Sequence, residues 1–171
     1  VSTSYIFYDV RYGFRDFSDS YKRYQNTLNF FEKVDKSLLK KFEFKDSPDG
    51  HFSEKDYLKK KYKDIKFLNE IPEKKVASSR LAIINNYSTF FYKCLSSNIP
   101  TILLTEIDTW KLHEKSKKIY ENLQKCGIII SDMSLAANKV NFSFDNIYEW
   151  WKSDQVQKSR KDFCNEFAWS E

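Results

Sequence analysis

Several residue types that build common catalytic and metal sites are scarce in this chain of 171 residues. It contains three cysteines, two histidines, three glycines and three prolines. The cysteines (Cys94, Cys126 and Cys164) are widely spaced and odd in number. That spacing argues against a disulfide framework or a zinc site and favours a reducing compartment. No Ser-His-Asp or Cys-His pattern indicates a nucleophilic hydrolase.

Long apolar runs and phosphate-binding glycine motifs are also missing. No stretch approaches the roughly 18 apolar residues of a membrane-spanning helix. The Gly-x-G-x-x-Gly fingerprint of dinucleotide-binding folds is absent. Lysines give a net charge of +5 but are interleaved with acids, and no nucleic-acid-binding motif occurs. We therefore expect a cytoplasmic protein with no nucleic-acid partner, and the surplus charge leaves open a contact with the inner face of the membrane.

What the chain does have is aromatic residues (15 Phe, 11 Tyr and 4 Trp) and a regular alternation of strand and helix patterns. Residues 4–14 predict a first strand or an extended arm. A helix is predicted from Ser18 or Asp19 to near Lys41. The later strands are predicted at Phe42–Lys45, Ile65–Leu68, Leu81–Ile84, Thr101–Leu104 and Ile128–Ile130. This alternation predicts an α/β, Rossmann-like fold with a mainly parallel sheet and helices on both faces. We divide the chain into an N-terminal arm or strand (1–17) and one domain (18–171).

The turn between the strand Leu81–Ile84 and the next helix is the most informative stretch. Open parallel sheets bind ligands beyond the carboxyl ends of their strands, and helix N-termini favour anions. Ser88 is expected to cap this helix through its hydroxyl. Ser88 and Thr89 are thus either phosphate contacts or a plain helix start, and both interpretations stay open on the residues alone.

Three patches in this order resemble the C-terminal part of surface-polysaccharide (O-antigen type) transferases, whose architecture is that of GT-B glycosyltransferases. The first is Tyr87–Ile102, with its Ser-Thr pair and Asn-Ile-Pro-Thr sequence. The second is Leu123–Ile129, followed by Ala136 and Ala137. The third is Trp150–Gln157, which opens with Trp-Trp-Lys-Ser. The segment Phe42–Leu68 is a weaker match.

The resemblance implies a C-terminal half that binds a nucleotide-sugar donor, with no tightly bound cofactor and no metal, in surface polysaccharide biosynthesis. Catalytic residues are not assigned. The donor-phosphate contacts that it implies are Ser88, Thr89 and Lys45. The residues expected to line the donor and its base are Asn85, Asn86, Tyr87, Glu106 and His51.

Two positions depart from the family pattern. Lys93 stands where related transferases often carry a ribose-binding glutamate. Lys45 stands where the family usually has arginine, so a bidentate fork on phosphate is replaced by a point charge. The usual acceptor domain, which lies N-terminal in the family, is not visible in this sequence. The alternative is therefore a non-catalytic α/β binding or interaction module that retains the transferase fold.

Other residues carry an ordinary structural interpretation beside the functional one. His51 lies in a loop and is either a phosphate or acid/base group or simply exposed. Glu106 and Asp108 follow a strand at the correct end of the sheet, where they would bind a sugar hydroxyl or magnesium, or would only be solvated. Trp150 and Trp151 are expected to pack in the core rather than to stack on a base.

Overall fold

The fold is described from a computed structural model. It describes residues 5–8, 17–46, 54–69, 72–85, 87–107, 112–142 and 145–169. Within these ranges, no helix combines the length and the apolar character that a membrane span requires.

Six parallel strands form one sheet in the order β3-β2-β1-β4-β5-β6. Their bounds are β1 Tyr5–Tyr8, β2 Phe42–Lys45, β3 Lys66–Phe67, β4 Leu81–Ile84, β5 Thr101–Leu104 and β6 Ile129–Ile130. The strands β2, β4 and β5 have the bounds that the sequence predicts. The α/β, Rossmann-like prediction with a parallel sheet is confirmed. Because β1 lies in the middle of the sheet, the strand order reverses between β1 and β4.

Nine helices are described. They are α1 Phe17–Lys33, α2 Lys36–Leu39, α3 Glu54–Lys61, α4 Pro72–Val76, α5 Thr89–Ser96, α6 Glu114–Lys125, α7 Met133–Phe142, α8 Ile147–Lys152 and α9 Asp154–Phe167. The helix α4 begins at Pro72. Proline is well tolerated in the first turn of a helix, where its missing N–H costs no hydrogen bond.

The helices bury both faces of the sheet. Alternate side chains of each strand point to opposite faces, so Phe7 joins one core while its neighbour Ile6 joins the other. The first core packs against α1, α3 and α7. The second packs against α4, α5, α6 and α9. β4 is buried over its whole length, as is typical of a strand covered on both sides.

The predicted helix from residue 18 to residue 41 is in fact two helices, and α7 explains the break. Asn141 of α7 donates from its side-chain nitrogen to the carbonyl of Lys33 (2.9 Å) and accepts from the N–H of Asp35 (2.9 Å). The Asn141 amide thus provides a hydrogen-bond partner for a backbone carbonyl at the end of α1 and for a backbone N–H just before α2. The periodicity of the apolar residues continues through the break, so the sequence alone could not reveal it.

The two neighbouring tryptophans bind helix ends on the amino side of the sheet. The indole N–H of Trp150 donates to the carbonyl of Cys126, just after α6 (2.9 Å). The indole of Trp151 donates to both oxygens of Asn98, just after α5 (3.0 and 3.1 Å). Arg160 donates to the carbonyl of Leu95 (2.8 Å). Trp151 is buried, as expected, and this patch lies opposite the carboxyl ends of the strands.

Candidate functional site

The candidate site lies at the carboxyl end of β4, where the strand order reverses. β1 is flanked by β2 on one side and by β4 on the other, and the Cα of Tyr8 pairs with both Lys45 and Ile84. Lys45 is therefore level with the last residue of β4 and about 10 Å away, two strand spacings. This is the position at which parallel α/β sheets bind ligands.

Ser88 is the N-cap residue of α5, but its hydroxyl does not cap the helix. The expected side-chain hydrogen bond is absent, and the first turn is closed by the N–H of Phe91 donating to the Ser88 carbonyl (3.0 Å). The backbone of Ser88 is extended (φ −159°), and the residue is 4% exposed. Its Oγ has no hydrogen-bond partner among the described residues. The prediction of a hydroxyl cap was wrong, since the Ser88 side chain makes no hydrogen bond to the N–H groups of the first turn of α5.

An unsatisfied buried hydroxyl needs an explanation, because burying one without a partner costs about 1–3 kcal/mol. The hydroxyl lies at the N-terminal end of α5, where the helix dipole favours negative charge. Ser88 is thus a donor at a position suited to an anion.

The start of the turn is fixed from the α1 side. Asn85 is buried, and its side-chain nitrogen donates to the hydroxyl oxygen of Thr27 in α1 (3.3 Å). Thr27 is itself 1% exposed. This bond joins residues 58 positions apart and ties the end of β4 to the helix that follows β1. This hydrogen bond therefore holds the start of the turn against α1.

The middle of the turn is fixed from the opposite face of the sheet. The hydroxyl of Tyr87 meets the hydroxyls of Tyr92 in α5 and Tyr120 in α6. Burial and these hydrogen bonds raise the pKa of Tyr87 well above its ordinary value. Burial also raises the pKa of Tyr120. Tyr87 and Tyr120 therefore stay neutral at physiological pH and act as hydrogen-bonding anchors rather than as proton-transfer groups.

The remaining predicted residues lie around this turn. Thr89 is exposed at the first position of α5, and Lys93 is exposed one turn further along. Glu106 follows β5 and forms an ion pair with Lys22 of α1 (2.7 Å). Lys45 is half-buried at the end of β2. The turn, the end of β2 and the loop after β5 therefore share one edge of the sheet.

Two of the predicted donor-lining residues, Asn86 and His51, lie outside the described residues. Asp108, which was considered with Glu106, does as well.

Four contributors to the site were missed from the sequence: Lys22, Thr27, Tyr92 and Tyr120. Thr27 and Lys22 are polar residues within a helical pattern and read as ordinary surface positions. The two tyrosines read as part of apolar helix faces. Tyr92 follows Tyr87 by five positions, and tyrosine often brings a polar tip to a buried partner. That was the one available signal.

Comparison with known proteins gives a family for the chain. The model of the LIC12162 family transferase matches residues 1–171. No curated protein and no solved structure gives a significant match.

Proposed function

This chain belongs to the LIC12162 family of transferases, and from that premise we propose that it is the nucleotide-sugar-binding part of a glycosyltransferase-like protein. The proposed setting is bacterial surface polysaccharide biosynthesis, of the O-antigen or capsule type, with GT-B architecture. The donor diphosphate is bound at the turn Asn85–Thr89. The acceptor is supplied by an N-terminal domain of that architecture.

One observation carries this proposal. The buried Oγ of Ser88 has no hydrogen-bond partner among the described residues, and it lies at the start of a helix that follows the central strand β4. A phosphate oxygen accepts from a hydroxyl and is favoured by the positive end of a helix dipole. Asn85 and Tyr87 hold the turn from both faces of the sheet, so its donors are preorganised. Preorganised donors are what a developing phosphate charge requires.

The chemistry that follows is electrostatic. In sugar transfer an acceptor hydroxyl oxygen bonds to the anomeric carbon and gives its proton to a base outside this site. The bond between that carbon and the donor phosphate oxygen breaks, and the leaving nucleotide gains negative charge. Ser88, Thr89 and the N-terminal end of α5 stabilise that charge, and Lys45 adds a point charge from the neighbouring strand end. Tyr87 keeps the turn in position and takes no proton.

A binding screen tests the proposal. UDP-, GDP-, CMP- and dTDP-sugars are titrated into the chain by calorimetry, and the thermal midpoint is recorded with each. At least one donor should bind, and saturation at about 100 times its Kd should stabilise the fold by about 2.7 kcal/mol. Ser88→Ala should raise Kd by about tenfold, the usual cost of losing a hydrogen bond to a charged group.

A second buried serine provides the control. The Ser79 hydroxyl already donates to the carbonyl of Val76 (2.7 Å) and lies at the amino end of β4. Ser79→Ala should leave donor affinity unchanged. If none of the four donors stabilises the protein, the binding role is wrong. The exposed Lys93 at the family's ribose position would then favour the alternative, a non-catalytic module that keeps the transferase fold.

A further inference from the structure

An ion pair crosses the carboxyl end of β4. Lys22 belongs to α1, which follows β1, and Glu106 follows β5. Their Nζ and Oε2 atoms are 2.7 Å apart, although the residues are 84 positions apart in sequence. β4 lies between β1 and β5 in the sheet, so an ion pair between α1 and the residue after β5 spans the strand from whose carboxyl end the turn begins.

The contact between α1 and the turn confirms this placement. Thr27 of α1 accepts a hydrogen bond from Asn85. α1 connects two parallel strands, so it runs back from the carboxyl end of the sheet toward the amino end. Lys22 precedes Thr27 by five residues and is therefore about 7.5 Å further out along the helix axis, beyond the floor of the turn. The ammonium group lies at the rim of the candidate site.

The partner that Lys22 has in this pair is a weak one. Both side chains are well exposed, at 58% for Lys22 and 39% for Glu106, and exposed ion pairs contribute little because water competes for both charges. A diphosphate carries more negative charge than one carboxylate and would be held close by Ser88 and the start of α5. The Lys22 ammonium therefore interacts more favourably with a phosphate oxygen than with the carboxylate of Glu106.

We infer that Lys22 is an anion-binding residue of the candidate site, and that it exchanges Glu106 for a phosphate of the ligand when that ligand binds. The inference rests on the proposed function, since it needs a diphosphate at the turn. It assigns opposite effects to the two members of one ion pair. Lys22 favours binding, whereas Glu106 competes with the ligand for the same ammonium group.

The test measures the Kd of inorganic pyrophosphate and of UDP by calorimetry at fixed ionic strength. Glu106→Gln should bind both about two- to fivefold more tightly, because an exposed ion pair no longer has to be broken. Lys22→Gln should bind both about tenfold more weakly. The control is Glu32→Gln, near the other end of α1, where Glu32 pairs with Lys61. It removes the same charge as Glu106→Gln and should leave Kd unchanged.

The outcomes separate this inference from the function on which it rests. If pyrophosphate and UDP bind and Ser88→Ala weakens them, but the Lys22 and Glu106 variants match the wild type, the exchange alone is wrong. If both variants weaken binding and lower the thermal midpoint together, the pair is structural and the inference is overturned. If neither wild type nor Glu106→Gln binds either probe, the proposed function fails and the inference fails with it.

Discussion

The buried hydroxyl of Ser88 is the single group on which the site depends most. Serine before a helix normally caps it, and that expectation follows correctly from the sequence. Here the residue is the N-cap but gives no side-chain bond to the helix, and its Oγ is buried without a described partner. An unpaired hydroxyl of this kind lowers the stability of the protein without a ligand, and a ligand that accepts its hydrogen bond recovers that free energy.

Replacing this hydroxyl should therefore not harm the fold. Ser88→Ala removes no hydrogen bond that the described residues make, so its free energy of unfolding should equal that of the wild type or exceed it by up to about 1 kcal/mol. Ser79→Ala removes a buried bond that is made and should cost about 1 kcal/mol. Urea unfolding measures both. A loss of stability in Ser88→Ala as large as in Ser79→Ala would contradict the account of the unpaired hydroxyl.

Asp132 caps the N-terminus of α7 through its side chain, as Ser88 does not do for α5. Asp132 directly precedes α7, which begins at Met133. Its Oδ1 accepts from the backbone N–H groups of Ser134 (2.6 Å) and Leu135 (3.0 Å). These two bonds lower the pKa of the Asp132 carboxyl.

A lowered carboxyl pKa makes part of the stability depend on pH. The contribution is complete above the ordinary aspartate pKa of about 3.9 and is lost as the pH falls through the lower, folded-state pKa. Asp132→Asn keeps an acceptor oxygen without the charge. Urea unfolding between about pH 6 and pH 2 should show that the free energy of unfolding of the wild type falls relative to that of this variant below about pH 4. Asp132→Ser should follow the asparagine variant, and a difference that stays constant with pH would refute the assignment.

At the scale of helices and strands, the sequence predicts what local patterns determine. β2, β4 and β5 are short apolar or alternating runs bounded by turn residues, and their ends were placed correctly. Gly127, which follows α6, has φ +76°, a conformation that glycine adopts without strain, and glycine at this position is a common end signal of helices. The break between α1 and α2 was not predicted because it is imposed by Asn141 from another helix.

A substitution that removes this long-range contact measures its contribution to the free energy of unfolding. Asn141→Ala loses the bonds to Lys33 and Asp35 and should lower the free energy of unfolding by about 1–3 kcal/mol. Asn138→Ala changes an exposed residue of the same helix and should have an effect within about 0.5 kcal/mol. Chemical denaturation of the two variants makes the comparison. Equal effects would show that the break does not depend on the Asn141 amide.

At the scale of the whole molecule, the strand order decides where the site can be. The sequence predicts a parallel sheet, and general rules then place ligands at its carboxyl edge. The order itself cannot be inferred from local patterns, because it depends on which strands pair across long stretches of chain. It is this order that brings the turn after β4 next to α1 and the loop after β5. The contacts of Asn85 with Thr27 and of Glu106 with Lys22 follow from it.

The same order separates two patches that sequence comparison alone would group. The Ser-Thr turn and the Trp-Trp element both support the resemblance to surface-polysaccharide transferases, yet they lie at opposite ends of the sheet. The tryptophans bind the ends of α5 and α6 through their indole N–H groups. The two tryptophans thus have a structural role in packing, and the turn Asn85–Thr89 is left as the proposed ligand site.

The most direct test is a ¹⁵N-labelled NMR titration of the chain with inorganic pyrophosphate, the group that every nucleoside-diphosphate donor shares. If the diphosphate binds where we propose, the amide signals of Asn85 and of residues 87–91 should shift in a saturable manner. The indole N–H signals of Trp150 and Trp151, at the opposite end of the sheet, should not move. Saturable shifts confined to the tryptophan end, or no saturable shift at the turn, would contradict the central claim that this turn is a diphosphate site.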